Sequence, residues 1–135
     1  MQNELIYELG SNVATLIGIA YLTYLIELPI IASFFYKKVD FKYINIISLM
    51  ANLFTNIVLN GIIIPILVLN SIDESNKMII IIIEAVVILV ECLIYKLAFV
   101  NYPELKNKRI IIATIVANIC SSVIGQLLIN VIENL

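Results

Sequence analysis

The sequence predicts an all-α integral membrane protein, a bundle of four transmembrane helices, and three observations carry that prediction. The chain is 62% hydrophobic and only 13% charged, where soluble domains carry about 25% charged residues. Its mean hydropathy is +1.08, too high for a surface facing water. Its apolar residues fall into four runs, each near the roughly 20 residues that a helix needs to cross a bilayer core. The 135 residues read as one transmembrane domain.

The first run extends from about Val13 to Tyr36 and holds one charge, Glu27. Met1-Gln2-Asn3-Glu4 ahead of it has no Lys or Arg. A secretory signal needs a positive start, so this run is expected to be a retained span. No lipidation motif is expected at either end. The second run, Ile44 to Leu69, has no charge, and the third, about Met78 to Val100, holds Glu84, Glu91 and Lys96. The fourth, Ile110 to Ile132, again has none. The Ile-rich stretches favour strands by propensity, but an open sheet leaves its edges unpaired in lipid, and the chain is too short and evenly apolar for a barrel.

Three short connections, Lys37 to Lys42, Asn70 to Lys77 and Asn101 to Arg109, make successive helices antiparallel neighbours. The first and third, with Lys96, hold seven of the eight Lys and Arg residues. Positive loops stay inside, so these two are expected on the cytoplasmic face of the cell membrane and both termini outside. Lys96 is expected to snorkel to the cytoplasmic surface.

Composition also excludes. With no histidine, the commonest general base and metal ligand is missing. Cys92 and Cys120 lie inside apolar runs, form no C-x-x-C pair and read as small space-fillers. There is no basic patch with interleaved aromatics, so no nucleic-acid partner is expected. No cofactor and no catalytic residue are assigned, and the sequence leaves a metal undetermined.

The polar residues inside the runs repeat. At an offset of 66, Ser48 meets Thr114, Asn52 meets Asn118, Thr55 meets Ser121, Asn56 meets Ser122 and Asn60 meets Gln126. Glu27 meets Glu91 at an offset of 64. This is the pattern of a duplicated hairpin, residues 11–69 and 78–132, with parallel repeats about an axis along the membrane normal. Counted from the cytoplasmic ends, Glu27, Asn52, Glu91 and Asn118 all lie about 12–14 Å deep. They form one layer of two carboxylates and two amides, one from each helix. Ser48, Asn52, Thr55/Asn56 and Asn60 make a stripe on the second span. Thr114, Asn118, Ser121/Ser122 and Gly125 make one on the fourth, and Glu84, Glu91 and Tyr95 share a face of the third. Pro29 and Pro65 each lack an N–H and free the carbonyls of Leu25 and Gly61. Ordinary interhelical hydrogen bonding also explains the Asn/Ser/Thr stripes. It explains the glutamates less well, because ionisable groups at this depth are costly and mark function.

These motifs resemble a family of small, uncharacterised four-span prokaryotic membrane proteins. The shared features are Asn52-x-x-Thr55-Asn56 in the second span, Glu84 and Glu91 ahead of Tyr95 in the third, and Ala117-Asn118 with Ser121 and Gly125 in the fourth. Where that family carries a proline after the Thr-Asn pair, this chain has Ile57. The resemblance spans the second to fourth runs and implies a fold and a set of residues, without an activity.

The expected function is a small transport protein or channel subunit for a hard cation, protons or a proton-coupled solute. Its site residues would be Glu27, Asn52, Thr55, Asn56, Glu84, Glu91, Asn118, Ser121 and Ser122. Carboxylates, amides and carbonyls are hard ligands, and two adjacent glutamates resist double ionisation and can share a proton. Four helices enclose little room, so a homodimer or larger assembly is expected. The alternatives are a non-catalytic subunit that docks a partner membrane protein, and an intramembrane enzyme using the carboxylates as acid and base.

Overall fold

A computed structural model describes residues 2–63, 66 and 77–133, with the backbone alone for 2–12, 60, 77, 80, 129, 132 and 133. The described residues form four long helices: α1 Gln2–Phe35, α2 Phe41–Val58, α3 Lys77–Ala98 and α4 Asn107–Glu133. A π-helical turn, Leu59–Ile63, continues α2. Helix α1 starts eleven residues before the expected span. The end of the expected second span apart from Ile66, including Pro65, and the connection from Asn70 to Asn76 lie outside the described residues, as does the side chain of Asn60.

Among the described residues three stretches are long and apolar enough to cross a membrane: Val13–Phe35, Phe41–Ile63 and Asn107–Leu128. Helix α3 carries four charged residues, Lys77, Glu84, Glu91 and Lys96. The bundle is apolar outside, and the buried polar residues of its spans face inward. Ile46, Met50, Phe54 and Ile57 are exposed along α2, whereas Ser48, Ala51, Asn52 and Thr55 on its other face are buried. Leu89, Leu93 and Leu97 repeat the exposed stripe on α3, and Ile119, Val123 and Leu127 do so on α4. Such an outer surface is stable against lipid and not against water. The fold is that of a helical membrane protein.

Helix α1 packs against α2 and α4, and α3 packs against the same two. The four therefore form a ring in which the glutamate-bearing helices, α1 and α3, each touch both amide-bearing helices. Ala51 and Ala117, 66 residues apart, are both fully buried, and small residues of this kind let helices approach closely. Asp40 starts α2 by accepting from the backbone N–H of Lys42 at 2.7 Å and of Tyr43 at 3.4 Å, so two of the helix's four free donors are satisfied.

One end of the bundle is plugged. Phe99 is the hub of an aromatic cluster, 5.1 Å from the Phe35 ring centroid, 5.9 Å from Tyr95 and 6.2 Å from Tyr43 and Tyr102. Val39, Ile44, Leu105 and Ile110 complete this buried core at the end that carries the two basic connections. The Tyr43 hydroxyl donates to the carbonyl of Ala98 at 2.8 Å, tying α2 to the end of α3.

Pro29 stays within α1 and is exposed. It lies two residues from Glu27, about 200° around the helix, so the carbonyl it frees faces away from the glutamate.

A candidate site of two paired carboxylates

Glu27 and Glu91 are both buried, at 0% and 1% exposure, because α1 and α3 turn these residues toward the middle of the ring. Each carboxylate oxygen receives one donor. Asn52 Nδ2 donates to Glu27 Oε2 at 3.1 Å, and Ser121 Oγ donates to Glu27 Oε1 at 2.7 Å. Asn118 Nδ2 donates to Glu91 Oε2 at 2.6 Å, and Thr55 Oγ1 donates to Glu91 Oε1 at 3.0 Å. The two sets correspond. Each glutamate takes an amide from the helix that follows it and a hydroxyl from the other amide-bearing helix. The bonds fall three residues apart on α2, at Asn52 and Thr55, and on α4, at Asn118 and Ser121. Three residues are about 4.5 Å of rise, so both carboxylates are held within one turn.

The amides are oriented by their own helices. Asn52 Nδ2 also donates to the carbonyl of Ser48 at 3.1 Å, and Asn118 Nδ2 to that of Thr114 at 3.0 Å. Reversing either amide would set its oxygen against two acceptors, so the nitrogens belong on the carboxylates. Asn52 Oδ1 is then left buried without a partner. A buried acceptor with no donor costs about 1–3 kcal/mol, and it is the one buried side-chain polar atom among the described residues in that condition.

The hydroxyls have a choice of acceptor. Thr55 Oγ1 lies 3.0 Å from Glu91 Oε1 and 2.9 Å from the carbonyl of Ala51. Ser121 Oγ lies 2.7 Å from Glu27 Oε1 and 3.0 Å from the carbonyl of Asn118. A hydroxyl has a single proton. Facing an ionised carboxylate, it donates to that carboxylate. Facing a protonated carboxyl, it accepts, and its own proton turns to the backbone carbonyl. Either state is satisfied without moving a heavy atom. All four partners are neutral, so the charge of an ionised glutamate here is balanced only by a proton or a cation drawn from outside. Among the described residues no cluster of three or more His, Cys, Asp or Glu is placed to hold a metal ion. Because both amides aim nitrogen at the carboxylates, caging a hard cation between them would require the amides to turn.

A cavity of about 430 Å³ borders the layer on the side away from the aromatic plug. Glu91, Asn118, Thr55 and Ser121 border it, whereas Glu27 and Asn52 do not. Asn56, Glu84 and Ser122, also among the residues expected at the site, form its rim, and Ser122 Oγ donates to Glu84 Oε1 at 3.0 Å. The nine residues expected at the site thus divide into a layer of six, with Asn118 half-buried and the other five buried, and a rim of three. The π-helical turn of α2 begins at Leu59, which also lines the cavity.

Two tyrosine hydroxyls bond below the layer; Tyr95 and Ser48 lie on polar faces read from the sequence, whereas Tyr24 and Asn45 were not singled out there. The Tyr95 hydroxyl donates to Ser48 Oγ at 3.2 Å, both fully buried, and the Tyr24 hydroxyl donates to Asn45 Oδ1. The signal was spacing: Tyr95 lies four residues after Glu91, and Tyr24 three before Glu27, on the same helix faces. Cys92 and Cys120 are free thiols, each half-buried.

Comparison with family models, curated proteins and solved structures finds no match to this chain.

Proposed function

We propose that this chain is a small membrane transport protein or channel subunit that takes up a proton or a hard cation at the Glu27–Glu91 layer and exchanges it through the cavity above. One observation carries the reading: two buried carboxylates, each held on both oxygens by neutral donors, with no cationic side chain among those partners. Ionisable groups buried at this depth are costly as mere packing contacts, and their presence favours a functional role. The dual acceptors around Thr55 and Ser121 add support, because a site that gains and loses a proton must be satisfied in both states.

The proposed architecture is four crossings in two tandem hairpins, with α3 as the remaining span. At 22 residues α3 is long enough, about 33 Å, and its glutamates face the cavity and the layer. The matching bonds of Glu27 and Glu91 support the duplication. In the proposed orientation the basic connections and aromatic plug are cytoplasmic, and the cavity opens to the outside.

Flux measurements in liposomes test the function. Glu27→Gln and Glu91→Gln keep the shape and remove the charge. Each variant is expected to fold and to lose proton- or cation-dependent flux by at least tenfold. Flux unchanged in both variants would overturn the proposal.

A further inference from the structure

A second cavity, of about 470 Å³, lies at the plugged end of the bundle, between the end of α1 and the start of α4. Lys38, Lys106, Lys108 and Arg109 line it with one carboxylate, Glu104, so the walls carry a net charge of +3. Its remaining walls are apolar, Phe34 and Ile112. The cations are partly prearranged: Lys38 Nζ donates to the backbone carbonyl of Glu104 at 3.0 Å, which clamps α1 to the last connection and leaves two ammonium donors free. Exposed Tyr36 and Phe41 lie at the same end, where aromatic side chains mark the headgroup level of a bilayer.

We propose that this pocket binds the phosphate headgroup of an anionic phospholipid. The ammonium and guanidinium groups match phosphate oxygens, with Arg109 able to bind two at once. Helix α4 begins at Asn107, so the positive end of its dipole adds to the same field. The apolar walls continue the pocket toward the bilayer core. Phe34 lies one turn before Lys38, and Ile112 one turn after Arg109, so an acyl chain leaving the headgroup meets these two side chains. A free phosphate would use the cations and leave the apolar walls without a role, which is why a lipid is the fitting occupant. Basic pockets between membrane helices serve this purpose elsewhere. The inference is independent of what the carboxylate layer transports.

Native mass spectrometry of the detergent-solubilised chain, supplied with equal phosphatidylglycerol and phosphatidylcholine, tests it. One phosphatidylglycerol is expected to remain bound to most molecules, and phosphatidylcholine to few. Millimolar inorganic phosphate should not displace it. The double variant Lys106→Gln with Arg109→Gln should bind the anionic lipid on the order of tenfold or more weaker. The control pair Lys37→Gln with Lys42→Gln removes as much charge from the same end, outside the pocket, and should bind as the parent does. Equal retention of the two lipids, displacement by phosphate, or equal loss in both double variants would each overturn the proposal. The first two arms use the unaltered chain, so they decide the matter even if a variant misfolds.

Discussion

Thr55 and Ser121 show how single residues set the chemistry of the layer. Each hydroxyl sits between a carboxylate oxygen and a backbone carbonyl of its own helix. Thr55→Val keeps the shape and deletes the hydroxyl, whereas Thr55→Ser keeps the hydroxyl. We expect the Val variant to lose coupling to Glu91 of about 1 kcal/mol, typical of interhelical hydrogen bonds in membranes, and the Ser variant to keep it. A double-mutant cycle on unfolding in mixed micelles reads this directly, and the Ser121–Glu27 pair should give a similar value. A near-zero coupling in both pairs would make the hydroxyls bystanders. Asn52 is the residue whose role is least complete, since its amide nitrogen is fully used and its buried oxygen is not.

At the scale of elements, α2 and the aromatic plug are the parts open to a stability test. Asp40 caps α2 through two backbone N–H groups, and Asp40→Ala should cost about 1 kcal/mol, with Asp40→Ser recovering most of it. Equal stability of the Ala and Ser variants would show that the cap contributes little here. Phe99 touches four aromatic rings and is 3% exposed. Phe99→Ala should lower stability by roughly 3 kcal/mol, the usual cost of emptying a packed aromatic site. It should also admit water from the plugged end. A fluorescent reporter of proton leak in liposomes would register that loss of seal, and an unchanged leak would place the barrier elsewhere.

For the whole molecule, the described residues place the aromatic plug on one side of the layer and the cavity on the other, so reagents should reach the layer from the cavity side. A cysteine at Ser122, on the cavity rim, should react with a water-soluble maleimide, and one at Thr114, fully buried below the layer, should not. In cells, cysteines placed at Asn3 and Ser75 should label from outside and one at Lys106 should not. Labelling at Lys106 from outside would reverse the proposed orientation without altering the site.

Much of this was legible in the sequence, for a physical reason. Lipid cannot pair a polar group, so Glu27, Asn52, Thr55, Glu91, Asn118 and Ser121 had to face protein, and their spacing of three and four put them on single helix faces. Matching depth then implied a layer of Glu27, Asn52, Glu91 and Asn118, and the hydrogen bonds join Thr55 and Ser121 to it. What the sequence could not supply was the pairing. Periodicity says which face of a helix is polar, but not which neighbour that face meets. Only the ring of helices decided that each carboxylate would take an amide from the next helix and a hydroxyl from the other. The aromatic plug and the basic pocket join residues from different elements, such as Phe35 with Phe99 and Lys38 with Glu104. Long-range neighbours of this kind are set by packing, which no local pattern encodes.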